Sequence, residues 1–261
     1  MALFQCTFFS KYLAYDTQVN VILPEDRSSL PEEAEKKAPY PVLYLLHGRG
    51  DNCTSWLRNS RIEQLAVQHQ IAVVMPSGED SFYVDSVNGK RYFSYMTKEL
   101  PALMRRWFPI SSESEHTFIA GLSMGGYGAL KLGLSEPERY AGIAFFSAAT
   151  DPQQLYNLFD DLMDSNIIND NLNRVFGGLP FPADYIPIEL LKARIKEGRR
   201  IPPLIQFEGK QDMLYDMNQQ FLEDAKQLGQ PIHYEEWDGE HDWKFWDVAI
   251  ERALKLLPIK K

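Results

Sequence analysis

Short apolar runs and longer stretches of helical spacing alternate along this chain of 261 residues. Strands are predicted near 7–9, 18–23, 42–46, 71–75, 117–120, 142–146, 204–207 and 232–236. Helices are predicted near 61–68, 92–107, 125–134, 215–227 and 243–256. The central strand candidates are continuously apolar, as expected where helices cover both faces of a parallel sheet. The pattern predicts an α/β protein with a mostly parallel, doubly wound sheet of about eight strands.

The alternation lapses between residues 148 and 203, where a polar segment has helical stretches at 153–164 and 188–196. Because ligand sites of open α/β sheets lie outside the carboxyl ends of the strands, an insertion at that edge would overhang such a site. We predict a small cap over residues 150–202, with a surface helical pair away from the site as the alternative. No linker rich in Pro, Gly or Ser divides the chain, which predicts one domain over residues 1–261.

The segment Phe118-Ile-Ala-Gly-Leu-Ser-Met-Gly-Gly-Tyr-Gly128 carries the strongest chemical signal. It joins an apolar strand candidate to a stretch that favours helix, with Ser123 between Gly121 and Gly125. A nucleophile elbow needs this context, because its strained turn leaves no room for Cβ atoms against the neighbouring strand and helix. A Gly-Ser-Gly turn without chemical meaning is the alternative, and the flanking pattern disfavours it. Ser123 is therefore predicted to be a nucleophile.

An acid and a histidine follow the serine in the order that hydrolases with such an elbow use. Asp212 lies in the loop after the apolar run 203–207, and His241 lies in the loop after the strand candidate 232–237. Loops after parallel strands meet at one edge of the sheet. Ser123, Asp212 and His241 are therefore expected to lie together at that edge.

His47 is the one rival among the other histidines. It follows the strand candidate 42–46, but it precedes the serine and so has the wrong order for this arrangement. The pair His47-Gly48 is better interpreted as the turn that supplies the second oxyanion donor. We assign the two donors to the backbone N–H groups of Arg49 and Met124.

Four segments together resemble a known family: Tyr44-Leu-Leu-His-Gly48, Gly121-Leu-Ser-Met-Gly-Gly126, Gly209-Lys-Gln-Asp212 and Gly239-Glu-His-Asp-Trp243. In this order they resemble the esterase D family of α/β-hydrolases, which includes S-formylglutathione hydrolases and short-chain carboxylesterases of the tributyrin esterase type. Asn52 and Ser55-Trp56 are more similar to the tributyrin esterase branch. The resemblance implies an α/β-hydrolase fold with Ser123 as nucleophile, His241 as general base and acid, and Asp212 as the orienting acid.

Composition limits the partners and the compartment. With 27 Lys and Arg against 36 Asp and Glu, the net charge of −9 disfavours nucleic acid and anionic membranes as partners. A charged segment of both signs, 24–37, is predicted to be a solvated loop. Cys6 and Cys53 are too few for a disulfide framework, and no ligand cluster suggests a metal or an organic cofactor. A cytoplasmic location is predicted, since the first residues lack a basic region followed by an apolar core.

The sequence thus predicts a serine carboxylesterase that acts on small acyl esters. Phe82, Tyr83 and Trp243 are candidates for lining its pocket, with ordinary packing as the alternative for the first two. A thioesterase of the S-formylglutathione hydrolase type or a deacylase of sugar or feruloyl esters would use the same residues. A non-catalytic binding module is a further alternative, which the intact Ser, Asp and His in order disfavour. A homo-oligomer remains open.

Overall fold

An eight-stranded sheet organises the protein, in the strand order β1-β2-β4-β3-β5-β6-β7-β8. The computed structural model describes residues 1–25, 39–160 and 165–259. The strands are β1 (Ala2–Ser10), β2 (Tyr15–Leu23), β3 (Val42–Leu46), β4 (Ala72–Pro76), β5 (Thr117–Leu122), β6 (Gly142–Phe146), β7 (Leu204–Gly209) and β8 (Ile232–Trp237). β2 pairs antiparallel with β1 and β4, and the other pairs are parallel. The predicted mostly parallel α/β sheet is confirmed.

Helices connect the strands and pack on both faces of the sheet. They are α1 (Ser55–Asn59), α2 (Ile62–His69), α3 (Tyr92–Ser94), α4 (Leu100–Trp107), α5 (Met124–Ser135), α6 (Pro152–Asp160), α7 (Ser165–Phe176), α8 (Pro187–Lys196), α9 (Tyr215–Gln227) and α10 (Trp243–Leu256). A π-helical turn, Tyr95–Glu99, joins α3 to α4, which accounts for the single helix predicted there. The helices predicted at 61–68, 125–134, 188–196, 215–227 and 243–256 are confirmed as α2, α5, α8, α9 and α10.

The principal difference from the predicted pattern is α7, which the sequence analysis missed. Its sequence, Ser-Asn-Ile-Ile-Asn-Asp-Asn-Leu-Asn-Arg-Val-Phe, is rich in Asn, a residue that favours caps and turns over helix interiors. Leu172 and Phe176 are nevertheless buried in the core, so tertiary packing outweighs the weak local propensity. The helix predicted at 153–164 is seen as α6, and residues 161–164 lie outside the described residues. The same holds for residues 26–37 of the predicted charged loop.

Two apolar clusters, one on each face of the sheet, explain why the central strands are mostly apolar. Successive residues of β5 enter opposite clusters, with Ile119 in one and Phe118 in the other. The first cluster includes residues of α5 and α9, and the second includes residues of α2 and α10. Within the described ranges, no helix is long and apolar enough to cross a membrane.

The sheet register brings the carboxyl ends of the central strands together. Leu46 at the end of β3 lies opposite Gly121, and Leu122 at the end of β5 lies opposite Phe146. Gly209 of β7 lies opposite Trp237 of β8. The loops that follow β3, β5, β6, β7 and β8 therefore share one edge, where a ligand site is expected in such a sheet.

Candidate active site

Ser123 lies in a strained turn between β5 and α5. Its φ of 52° and ψ of −120° are unusual for a residue with a side chain. Three backbone hydrogen bonds hold it: Ser123 N–H donates to Phe146 O at 2.9 Å, and the N–H groups of Tyr127 and Ala149 donate to Ser123 O at 3.0 and 3.2 Å. The neighbouring strand and the first turn of α5 thus impose the conformation that the sequence motif predicts.

Glycine is required on both sides of this turn. A Cβ on Gly121 would lie 2.2 Å from the carbonyl oxygen of Gly125, and a Cβ on Gly125 would lie 2.5 Å from the carbonyl oxygen of Leu46. Backbone atoms of a helix or a sheet strand cannot give way by that much, since their hydrogen bonds fix them. The two glycines therefore allow α5 to approach β5 and β3 closely enough to present the serine at the edge of the sheet.

The structure brings the three predicted side chains into one hydrogen-bonded chain. The Oγ of Ser123 lies 3.0 Å from Nε2 of His241. On the other side of the ring, Nδ1 lies 3.0 Å from Oδ1 and 2.9 Å from Oδ2 of Asp212. Because a carboxylate can only accept, Nδ1 carries the proton in the neutral ring and Nε2 accepts from the serine hydroxyl. The arrangement can remove a proton from Ser123 without any rearrangement.

Asp212 is held in the charged form although its side chain is fully buried. Burial alone would raise its pKa, but the hydrogen bonds from His241, Leu214 N–H and Ser147 outweigh burial and hold the pKa below its usual value. The Leu214 N–H donates to Oδ1 at 2.8 Å. A buried carboxylate next to the ring can stabilise an imidazolium when it forms, and it fixes the ring tautomer.

His47 organises the turn after β3 and is not a member of the hydrogen-bonded chain. Its Nδ1 donates to Gly48 O at 2.7 Å, so its Nε2 accepts from Gly78 N–H, also at 2.7 Å. Burial lowers its pKa, which keeps the ring neutral and able to accept. The Tyr83 hydroxyl donates to His47 O at 3.0 Å. These bonds fix the path of the backbone as it approaches Arg49.

The two predicted oxyanion donors lie near Ser123. Met124 is the first residue of α5, where backbone N–H groups have no acceptor within the helix and the helix dipole favours negative charge. A Cβ on Gly48 would lie 3.5 Å from the Cβ of Ser123, so the turn that leads to Arg49 adjoins the serine. The side chain of Arg49 is exposed, which leaves its backbone as the part nearest the turn. Their role as donors stays a prediction.

The aromatic residues predicted to line the pocket occupy different environments. Phe82 and Tyr83 are only 1% and 0% exposed, and Phe82 packs its ring against Tyr127 and Phe176. Their burial favours the packing alternative. Trp243 is half-buried beside Trp56, at 5.0 Å between ring centroids, and it keeps some surface for contact with a ligand. Pocket lining by Trp243 stays a prediction.

Three residues at this edge escaped the sequence analysis. Ser147 interacts with Asp212, and Trp246 packs against His241. No motif in the sequence singles out either Ser147 or Trp246. Glu208 of β7 is fully buried, and neither of its carboxyl oxygens has a hydrogen-bond partner among the described residues. Burial, together with the charges of Asp212 and Glu236, raises the pKa of Glu208 well above its usual value. A charged residue in an apolar strand, as in Leu-Ile-Gln-Phe-Glu-Gly, was the available signal.

Cys53 is buried and free. Burial raises the pKa of its thiol, which makes the reactive thiolate scarce. Its backbone carbonyl accepts from Nδ2 of Asn20 at 2.9 Å. Its burial, its raised pKa and this hydrogen bond support a structural role for Cys53. Among the residues that the structure describes, no group of three or more His, Cys, Asp or Glu side chains is arranged to hold a metal ion.

Comparison with known proteins assigns this geometry to a family. A family model described as "Putative esterase" matches residues 10–257. An acetyl esterase of Caldicellulosiruptor saccharolyticus is 34% identical over 259 residues, which cover 98% of this chain and 97% of that protein.

Two solved structures that are similar to this chain are also hydrolases. The fluorophosphonate-binding serine hydrolase FphF of Staphylococcus aureus superposes with a TM-score of 0.87 at 30% identity, over 100% of this chain and 99% of that one. The S-formylglutathione hydrolase FrmB of the same organism superposes with a TM-score of 0.82 at 32% identity, over 98% of each chain. The fold predicted from the sequence, an α/β-hydrolase, is confirmed.

Proposed function

The chain belongs to this esterase family, and we propose that it hydrolyses short-chain acyl esters through Ser123, His241 and Asp212. It is a carboxylic ester hydrolase that acts on small-molecule esters. The single observation that carries the proposed chemistry is the chain of hydrogen bonds from Ser123 Oγ through the imidazole of His241 to Asp212.

The first half of the reaction forms an acyl-enzyme. A serine hydroxyl is a weak nucleophile at neutral pH, so Nε2 of His241 takes its proton as Oγ attacks the ester carbonyl carbon. The carbonyl oxygen becomes an oxyanion, and the imidazolium is stabilised by the carboxylate of Asp212. When the tetrahedral intermediate collapses, Nε2 returns the proton to the leaving alcohol.

The second half repeats these steps with water. His241 removes a proton from a water molecule, which attacks the acyl carbon, and the proton then returns to Ser123 Oγ as the acid leaves. In both halves the N–H groups of Arg49 and Met124 would donate to the oxyanion. Such a donor contributes a factor of roughly 10²–10³ in rate. The steps use protein groups and water alone.

We propose that α6, α7 and α8 form a small cap within a single domain. Two hydrogen bonds, both made by Asp80, link α7 to the oxyanion turn and support a location of the cap beside it. Asn171 Nδ2 donates to the backbone oxygen of Asp80 at 3.1 Å, and the carboxylate of Asp80 accepts from Gly50 N–H at 2.7 Å. Gly50 directly follows Arg49 in the turn. The cap would then limit the space available to the substrate.

The acyl group is proposed to be short because the cap is too polar to receive a long chain. Asp170, Arg174, Lys192, Arg194 and Lys196 interrupt its apolar positions. Without a long apolar groove, added methylene groups gain no burial. Thioester hydrolysis of the S-formylglutathione type is the second candidate, supported by the 32% identity to the hydrolase FrmB. Sugar and feruloyl esters remain alternatives that the same residues would serve.

Two further proposals concern the cellular compartment and the binding partners of the protein. Both cysteines are free, which fits a reducing compartment such as the cytoplasm. The net charge of −9 disfavours nucleic acid and anionic membranes as partners.

Covalent labelling tests the proposed nucleophile. A fluorophosphonate probe should add one mass increment to the wild-type protein, and peptide mapping should place it on Ser123. Ser123→Ala, shown to be folded by circular dichroism, should take up no label and should lose turnover of p-nitrophenyl acetate. Labelling at another residue, or near-normal turnover by the folded variant, would overturn the assignment. A matched panel of p-nitrophenyl esters, acyl thioesters and acetylated sugars separates the substrate classes by kcat/KM.

A further inference from the structure

Ser147 occupies a strained position between the strand that leads to Ser123 and the strand that leads to Asp212. It directly follows β6, it is fully buried, and its φ is 46°. Its N–H donates to Phe207 O of β7 at 3.1 Å, which holds the residue in this conformation. Residues with side chains persist in such backbone conformations only where the surroundings impose them, and they cluster at functional sites.

The hydroxyl of Ser147 lies between a tryptophan and the buried carboxylate. Trp246 Nε1 lies 3.0 Å from Ser147 Oγ. Because an indole N–H can only donate, the serine oxygen is the acceptor and its own proton remains free. Ser147 lies close enough to Asp212 to contribute to lowering the pKa of that carboxyl. The free proton of the Ser147 hydroxyl is therefore available to the Asp212 carboxylate.

Trp246 also contacts the histidine directly. Its ring meets the imidazole of His241 edge to face, with 4.9 Å between centroids and 89° between planes. The tryptophan lies in the first turn of α10, which is capped where Asp242 Oδ1 accepts from Phe245 N–H at 3.0 Å. The buried Trp246 side chain thus limits the tilt of the His241 imidazole. It also orients the hydroxyl of Ser147, which lies beside Asp212.

We propose that Ser147 and Trp246 are a positioning pair that holds Asp212 and His241 in the reactive geometry. The inference rests on the proposed function of Ser123, His241 and Asp212, and neither new residue touches the substrate. The carboxylate presents both oxygens to Nδ1, at 3.0 and 2.9 Å. Without the serine, the carboxylate keeps Leu214 N–H and the imidazole as partners. It is then held less firmly about its Cβ–Cγ bond, and more of its negative charge falls on the bond to the imidazole.

Two conservative variants isolate the pair. Ser147→Ala removes the hydroxyl, and Trp246→Phe removes the indole donor while it keeps an aromatic ring beside His241. Ser147→Ala should lower kcat on p-nitrophenyl acetate by roughly 10- to 100-fold, the range for a lost hydrogen bond to a charged group, with KM changed less than about twofold. Trp246→Phe, which loses a hydrogen bond to a neutral hydroxyl, should lower kcat by roughly 2- to 10-fold. Because both act through one chain of donors, the double variant should lose little more than Ser147→Ala alone.

A pH profile distinguishes positioning from mere structural support. With one neighbouring donor fewer, the Asp212 carboxylate should hold the imidazolium more strongly, so the acid limb of kcat/KM should move to higher pH in Ser147→Ala. The downfield proton resonance of the His241–Asp212 hydrogen bond should move as well. Ser111→Ala is the matched control, since Ser111 is buried with its hydroxyl 3.2 Å from His116 Nδ1, before the start of β5. It should lose stability without any change in the pH profile.

The outcomes separate this proposal from the proposed function. If Ser123→Ala is inactive while Ser147→Ala and Trp246→Phe keep wild-type kcat and pH profile, the pair has only a packing role. If the folded Ser123→Ala is active, the proposed function itself fails, whatever the pair does. Should Ser147→Ala fail to fold, Trp246→Phe carries the same kinetic test, because Ser147 then keeps its hydroxyl and loses only its donor.

Discussion

The Oγ of Ser123 and Nε2 of His241 lie 3.0 Å apart although 118 positions separate the two residues in the sequence. The serine is held by the tight packing of α5 against β5, and the histidine lies in the loop between β8 and α10. Asp212 follows β7, the strand between β6 and β8, and accepts a hydrogen bond from Nδ1 of His241. The contact therefore depends on the parallel order of four neighbouring strands, which brings their carboxyl ends to one edge.

Loss of any member of the hydrogen-bonded chain should disable the others. We expect Ser123→Ala and His241→Ala each to lower kcat by roughly 10⁴–10⁶, and the double variant to be little worse, since the residues act as one unit. Asp212→Asn should cost somewhat less. Steady-state kinetics on p-nitrophenyl acetate measure these losses, with His47→Ala as the comparison histidine. Near-normal turnover by His241→Ala together with an inactive His47→Ala would contradict the assignment.

Arg49 should act through its backbone and not through its charge. Its side chain is exposed, so Arg49→Ala should retain most of the activity on a neutral ester. Arg49→Pro deletes the N–H and should lose roughly 10²-fold or more in kcat. Equal losses in both variants, with folding intact by circular dichroism, would instead assign the guanidinium to substrate binding.

Substrate preference should end at short acyl chains. We expect p-nitrophenyl acetate through butyrate to be hydrolysed at least about tenfold faster than decanoate or palmitate, because each methylene gains about 0.8 kcal/mol only where a buried groove receives it. The series of kcat/KM values measures this, and tributyrin should give a smooth saturation curve across its solubility limit. A maximum at ten carbons or longer, or a jump in rate at droplet formation, would identify the cap as a lipase lid.

His47 should make the protein less stable in acid. Burial lowers its pKa below the ordinary value of 6.5, so its contribution to stability is complete above that pH and is lost as pH falls through the lowered pKa. Protonation also removes the acceptor for Gly78 N–H. The difference in Tm between the wild type and His47→Gln should therefore shrink as pH falls from about 7.5 to about 5. A difference independent of pH would mean that His47 does not accept from Gly78.

Glu208 should have the opposite effect on stability. Its pKa is raised well above the ordinary 4.5, so its contribution is complete below that value and declines as pH rises through the raised pKa. Glu208→Gln keeps the shape and removes the ionisation. At pH 8 the variant should have a higher Tm than the wild type, and the two should converge towards pH 4.5. Thermal unfolding at both pH values measures this, and a variant less stable at pH 8 would show that the carboxylate has a partner.

Much of the site could be predicted from local sequence. The glycines at 121 and 125 indicate a tight turn, because its steric requirement involves only neighbouring residues in the sequence. The ends of the apolar strands 204–207 and 232–236 indicate where the chain leaves the sheet. Parallel strands then fix the meeting of Ser123, Asp212 and His241, because their carboxyl ends share one edge. His47 also follows a strand at this edge, and the sequence sets it aside for a different reason, its position before the serine in the chain.

Other features were decided only by tertiary structure. Nothing in a window around Ser147 or Trp246 shows that an indole from α10 reaches a hydroxyl after β6, because that contact depends on how α10 packs across the sheet. The formation of α7 from an Asn-rich segment and the burial of Glu208 likewise follow from packing. Local spacing specifies which residues lie at the edge of the sheet. The contacts among them arise from side chains far apart in the sequence, whose hydrogen bonds gain strength only when folding excludes water.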